Sequence, residues 1–257
     1  MSTVRSSVED GIGRITLDRP AQMNAVTVDL GRELDAAIRD LGSRDVVSVI
    51  AVRGAGGNFC AGGDFDEVER LRAGGPEALA PLFDNFRRAC DAVAEVDQPV
   101  VAVVEGVAMA GGFEFLQAAD VVLVREDARL SDNHVNFGQV PGGGGSQRLA
   151  RLVGRQRALG HLLSGERLSG ADAVAIGLAH KAYPAETFDV DVETFLQRMA
   201  GRRRDALIGI KSLVRQGLEV DLAEGLELER TRVLTHISGE AGGAGVSSFA
   251  GSKGERP

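Results

Sequence analysis

The 257-residue sequence predicts an α/β fold built on a largely parallel sheet, followed by a helical C-terminal region. Three observations lead there. Apolar runs at 46–52 (broken only by Ser48), 99–104 and 121–124 have the continuous character of strands buried on both faces. The stretches between them repeat their apolar residues at helical spacing. The 34 glycines fall in clusters between these elements rather than in a repeat, as connecting turns do.

The elements follow in order. Residues 8–15 read as a hairpin turning at Asp10–Gly11, and Arg19–Pro20 ends its second strand. Thr27 is a suitable N-cap for a helix to about residue 41, with Leu30, Leu34, Ala37, Ile38 and Leu41 on one face. After the 46–52 strand comes a glycine-rich loop over 54–63, with Asp64 placed to cap the next helix. Residues 81–96 predict a long helix and 99–104 a strand. A Gly111–Gly112 pair then opens a short apolar helix to about residue 119, followed by the strand 121–124. Beyond the run Gly142–Gly145 the pattern is helical except for a strand at 178–183, with helices over 189–199, 205–218 and 221–237. The residues after Gly239 are rich in Gly and Ser and read as a mobile tail. The expected organisation is a core over 1–190 carrying the active site and a helical region over 191–257.

Composition narrows the function classes. With 44% hydrophobic residues a core is assured, and no apolar run is long enough to span a bilayer. Two cysteines, Cys60 and Cys90, are too few for a disulfide framework and fit reduced thiols in a cytoplasmic protein. No secretory leader is apparent in the first twenty residues. A net charge of −8, no Trp and a single Tyr argue against nucleic-acid binding. His161, His180 and His236 are scattered and form no metal-ligand spacing, so neither a metal nor a redox cofactor is expected.

Two glycine sites carry the chemistry. Asn58–Phe59–Cys60–Ala61–Gly62–Gly63–Asp64–Phe65 lies between a strand and a helix, where backbone N–H groups face a cleft without side chains in the way. Gly106 to Glu114 repeats the arrangement and opens a helix, whose N-terminus offers unpaired donors and a positive dipole end. Two such donors on one carbonyl oxygen make an oxyanion hole, and losing one donor commonly costs about 3 kcal/mol of transition-state stabilisation.

Five stretches in order resemble the enoyl-CoA hydratase/isomerase (crotonase) family. They are Arg19–Pro20–Ala21–Gln22–Met23–Asn24–Ala25, Phe59 to Phe65, Glu105 to Glu114, Gly138–Gln139–Val140–Pro141 on to Gln147–Arg148–Leu149, and Gly165 to Ala179. The likeness spans nearly the whole chain. It implies a crotonase-like spiral of repeated β-β-α turns, a C-terminal region that joins subunits into homotrimers or hexamers, and an acyl-CoA thioester as substrate, coenzyme A arriving as part of it. By the same resemblance the N–H groups of Gly63 and Gly111 hold the thioester oxygen, and Glu114 is the first acid/base residue. Met23, Ala25, Ala61 and Phe65 fall where the family binds coenzyme A. Met23 occupies a position that is often basic, which leaves Arg19, or Lys253 in the tail, to meet the phosphates.

One departure matters. The family's second glutamate is replaced by His134 within Ser131–Asp132–Asn133–His134. Imidazole exchanges protons near neutrality, so Glu114 and His134 form the expected acid/base pair of a hydratase or isomerase. Asp132 is an alternative acid. A decarboxylase or carbon–carbon bond hydrolase using His134, and a non-catalytic acyl-CoA-binding protein, are the competing readings. Each residue also has a structural reading: Asp64 as an N-cap, Glu114 as a complement to the helix dipole, His134 as a core histidine. Gly142–Gly145 lacks the Lys–Ser/Thr ending of a phosphate loop and reads as a tight turn feeding a helix.

Overall fold

A computed structural model describes residues 2–239 and 242–243 of the chain. Lys253 and the Gly/Ser-rich tail lie outside the described residues apart from Gly242 and Gly243. By its internal contacts the chain forms two units, Met1–Gly201 and Arg202–Pro257.

In the first unit β1 (Val4–Glu9) and β2 (Ile12–Leu17) form the expected hairpin, with Asp10 and Gly11 both at positive φ (49° and 76°). Helix α1 (Val28–Gly42) begins where Thr27 accepts a hydrogen bond from Leu30 N–H, and it buries Leu30, Leu34, Ile38 and Leu41. Strand β3 (Val49–Gly54) starts three residues later than the apolar run, because pairing with β2 begins at Ile12–Val49. Val47 N–H is instead spent on Arg44 O, and Val46 is exposed. Asp64 caps α2 (Phe65–Arg72) through Glu67 N–H, as its spacing predicts.

Helix α3 (Pro76–Glu95) begins five residues before the expected start. Pro76 behind Gly75 is the true first turn, and Pro81 is carried inside the helix at the loss of one intrahelical bond. Close packing of α1 on α3 holds that turn: a Cβ on Gly31 would lie 2.8 Å from Phe86 N. Then come β4 (Val100–Val104), β5 (Val107–Met109), α4 (Gly111–Ala118), β6 (Val121–Arg125) and β7 (Arg129–Ser131). Helices α5 (Gly145–Val153), α6 (Arg155–Ser164) and α7 (Gly170–Ala175) precede β8 (Lys181–Tyr183). Strand β8 is shorter than the 178–183 expectation, since the N–H groups of Leu178 and Ala179 close the end of α7 on Ala173 O.

The main sheet runs β1-β2-β3-β4-β6-β8, parallel except for the hairpin. A second sheet pairs β5 with β7, and single bridges extend it from Ala108 to Cys60 and from Leu130 to Leu168. Each turn of the chain therefore gives one strand to the large sheet and one short segment to the small one, which is the spiral of the crotonase fold. The three-residue strands β5 and β7 are too short for periodicity to reveal. Helix α8 (Phe188–Ala200) packs Phe188, Val192 and Leu196 with Ile12, Val49 and Val101, so the first unit extends past residue 190 to Gly201. The second unit holds the packed pair α9 (Arg204–Gly217) and α10 (Leu222–Ser238).

One buried amide ties the first loop to the second. Asn24, fully buried at φ 57°, accepts from Arg19 N–H (2.9 Å) and donates to Ala55 O (2.9 Å) and Asn58 O (2.8 Å). Replacement by Ala strands these groups. Asn24→Ala is expected to lower unfolding free energy by about 2–4 kcal/mol, measured by urea denaturation; an unchanged midpoint would refute the staple.

Candidate active site

The small sheet brings the two glycine loops together. Cys60 N–H donates to Val107 O, Met109 N–H to Cys60 O, and Ala110 N–H to Ser131 O. A Cβ on Gly112 would collide with the Cys60 carbonyl, so the start of α4 can lie against the first loop only with glycine there. Ala110, the residue before α4, takes φ 45° and ψ −114°, a strained conformation for a side chain. At this junction neither Gly63 N–H nor Gly111 N–H donates to an acceptor among the described residues. Both residues line one cavity of about 420 Å³.

Glu114 and His134 line the same cavity. Glu114 is 2% exposed, and its Oε1 accepts N–H bonds from Gly143 (2.8 Å) and Gly145 (2.9 Å). The Gly142–Gly145 run thus does more than turn the chain. It cradles the carboxylate, which leaves Oε2 for the cavity. Burial raises the Glu114 pKa, with the Asp132 charge acting the same way, against the N–H bonds and the His134 charge. His134 opens a short 3-10 turn (His134–Phe137), and its Nδ1 lies 2.7 Å from Oδ1 of Asp132. Burial alone would lower the His134 pKa; the Asp132 hydrogen bond and charge, joined by the Glu114 charge, outweigh it and raise the pKa.

Most of the remaining wall is apolar, formed by Val26, Val68, Leu79, Leu82, Phe83 and Phe86 with Phe137 and Val140, and Arg72, Asn133 and Gln139 add polar groups to it. A second groove of about 530 Å³ shares Ala61, Gly63, Phe65 and Asn133 with it. Met23, Ala25, Ala61 and Phe65 all line this outer groove, and Phe65 meets Phe137 edge-on at 5.1 Å. Arg19 takes no part in it. Its guanidinium binds Asp64 Oδ2 (2.8 Å) and Ala25 O, a brace between loops, and this partner holds the Asp64 pKa low against the effect of burial. Two residues the sequence reading missed, Arg129 and Arg167, line the groove exposed and have no ion-pair partner among the described residues. No spacing signal singles them out, since one opens a three-residue strand and the other lies in a loop. Cys60, its pKa pushed up to about 12 by burial, is an inert thiol.

The chain matches the enoyl-CoA hydratase/isomerase family over residues 7–253. It is 30% identical over 247 residues to a probable enoyl-CoA hydratase of Rhizobium meliloti (strain 1021), covering 96% of this chain and 94% of that one. It is 27% identical over 241 residues to the peroxisomal Delta(3,5)-Delta(2,4)-dienoyl-CoA isomerase of Arabidopsis thaliana, covering 90% and 87%. The crystal structure of an enoyl-CoA hydratase from Polaromonas sp. JS666 superposes with a TM-score of 0.92 at 27% identity, covering 97% of each chain. The protein belongs to the enoyl-CoA hydratase/isomerase family and is an enzyme of its lyase or isomerase kind.

A methyl group on Gly143 would lie 2.8 Å from Glu114 Oε2 and press on Phe86. Gly143→Ala is expected to reduce kcat at least about tenfold by displacing the carboxylate. Circular dichroism should show the fold retained. Full turnover in this variant would show that the cradle does not position Glu114.

Proposed function

We propose that the protein adds water to, or shifts the double bond of, an enoyl-CoA thioester, with Glu114 and His134 as the acid/base pair. One observation carries the reading: both side chains line the cavity that Gly63 and Gly111 also line, and the N–H groups of these two glycines have no acceptor among the described residues. In hydration the thioester oxygen accepts from the two N–H groups, which stabilise the enolate as it forms. Glu114 Oε2 takes a proton from the water whose oxygen bonds to the β-carbon. Protonated His134 gives its proton to the α-carbon. Transfer of the proton from Glu114 to His134 then restores both groups, and one water has been added. Isomerisation uses the same groups to remove and return a proton without water.

The apolar walls suit a hydrocarbon acyl group. The coenzyme A portion extends through the outer groove, where Arg129 and Arg167 supply positive charge for its phosphates. Helices α9 and α10 join subunits into a homotrimer or hexamer. Ile210 and Val214 on α9, Leu218 just after it, and Leu222, Leu226 and Val233 on α10 are exposed, more apolar surface than a solitary helix pair ordinarily leaves uncovered. Light scattering is expected to give three or six times the 27.0 kDa chain mass; a monomer would overturn the assembly.

Turnover of a panel of enoyl-CoA thioesters, followed by mass spectrometry, tests the reaction. The wild type should yield a product heavier by one water, or an isomer of equal mass. His134→Ala and Glu114→Gln should each lower kcat by about 10²–10⁴. Arg129→Ala and Arg167→Ala should raise KM, together by about tenfold, with kcat kept. A cleaved product would move the activity to decarboxylation or carbon–carbon hydrolysis. Binding of coenzyme A without turnover would leave a carrier.

A further inference from the structure

Asp132 is buried at 1% exposure, directly beside the catalytic cavity but not lining it. It follows β7, whose last residue is fixed twice: Ser131 O accepts Ala110 N–H, and Ser131 Oγ donates to Gly165 O at 3.1 Å. The carboxylate therefore projects from a rigid point joined to the loop that carries Gly111. Its Oδ1 lies 2.7 Å from His134 Nδ1, while Oδ2 is buried with no partner among the described residues. Oδ2 would stand 3.0 Å from a Cβ on Gly145, the residue whose N–H also holds Glu114. An ionised carboxylate only accepts hydrogen bonds, so the shared proton at Oδ1 belongs to Nδ1. That leaves Nε2 as the ring nitrogen able to exchange a proton with a substrate in the cavity.

We propose that Asp132 is a positioning residue that sets the tautomer and the charge of His134, so that Nε2 alone works in the cavity. The inference rests on the proposed role of His134 and deepens it. In place of two carboxylates, the site holds one carboxylate facing the cavity and one imidazole backed by a second, hidden carboxylate. A buried carboxylate with one oxygen unpartnered is costly without a cation beside it, so Asp132 favours the imidazolium and supplies the proton donor. The charges acting on His134 are those of Asp132 and of Glu114 on α4. Helix α6, packed against the 3-10 turn, carries Arg155, Arg157 and His161.

The sign follows. With a raised pKa, His134 is protonated below it and loses its proton as pH rises through it. Activity that needs the imidazolium has its basic limb there. Asp132→Asn keeps the shape and a hydrogen-bond acceptor but removes the charge, so the His134 pKa falls and the basic limb moves to lower pH.

Two readouts separate this inference from the reaction itself. Imidazole ¹⁵N spectra, with His134 identified among the four histidines by its absence in His134→Gln, are recorded against pH without substrate. Neutral His134 should be the Nδ1–H tautomer, and Asp132→Asn should lower its midpoint by about one pH unit or more. On the thioester that the wild type turns over, Asp132→Asn should lower kcat with KM within about twofold, and should recover part of the loss at lower pH. An Nε2–H tautomer, or a midpoint and pH profile unmoved in Asp132→Asn while His134→Ala is still impaired, would overturn the positioning role alone. Turnover unaffected by His134→Ala would overturn the acid/base pair and this inference with it, whatever the spectra give.

Discussion

The short second sheet is the constraint on which the site depends. Its strands are short, and its bonds beyond the β5–β7 ladder include Cys60 to Val107, Met109 to Cys60, Ala110 to Ser131 and Leu130 to Leu168. Yet each joins loops that successive turns of the chain would otherwise leave independent. The large sheet and the buried α1–α3 layer stabilise the unit. The small sheet decides where the N–H groups of Gly63 and Gly111 fall, and how far Asp132 and His134 stand from them. Glycine at position 112 is a condition of that stitching, because any side chain there would force α4 away from Cys60.

The site built on this frame is electrostatically uneven. Gly63 and Gly111, whose N–H groups have no acceptor among the described residues, line the cavity together with Glu114 and His134, and a third titratable group, Asp132, lies buried behind His134. Glu114 is held by backbone donors on one oxygen only, so part of its charge is met by the protein and part is left to the reaction. The Asp132 charge raises the cost of ionising Glu114, and the His134 charge offsets it. A proton moved within this cluster changes its charge distribution without passing through solvent, which suits groups that exchange roles during a catalytic cycle.

Much of the architecture was legible in the sequence. The hairpin, the α1 and α2 caps at Thr27 and Asp64, and the buried strands all follow from local rules that the fold obeys. The exceptions have physical causes. Val46 extends an apolar run without joining the sheet, Pro81 sits inside a helix that tertiary packing sustains, and β5 and β7 are too short to carry a period. Resemblance marked Glu114, His134 and the two glycines. It could not disclose that Gly143 and Gly145 hold Glu114, that Asp132 bonds to His134, or that Arg19 is committed to Asp64. Those facts depend on residues distant in sequence, and only the folded chain brings them together.

Ala110 carries a consequence of its own. At φ 45° and ψ −114° it occupies a conformation that glycine reaches freely, and keeping an alanine there stores on the order of 1–3 kcal/mol of backbone strain. In evolutionary terms the position is a compromise. A single nucleotide change converts an alanine codon to a glycine codon and would relieve that strain. It would also hand the hinge at the mouth of α4 a freedom of rotation it now lacks. A protein selected for thermal endurance alone would accept the exchange, whereas one selected to keep a donor aimed between turnovers has reason to refuse it.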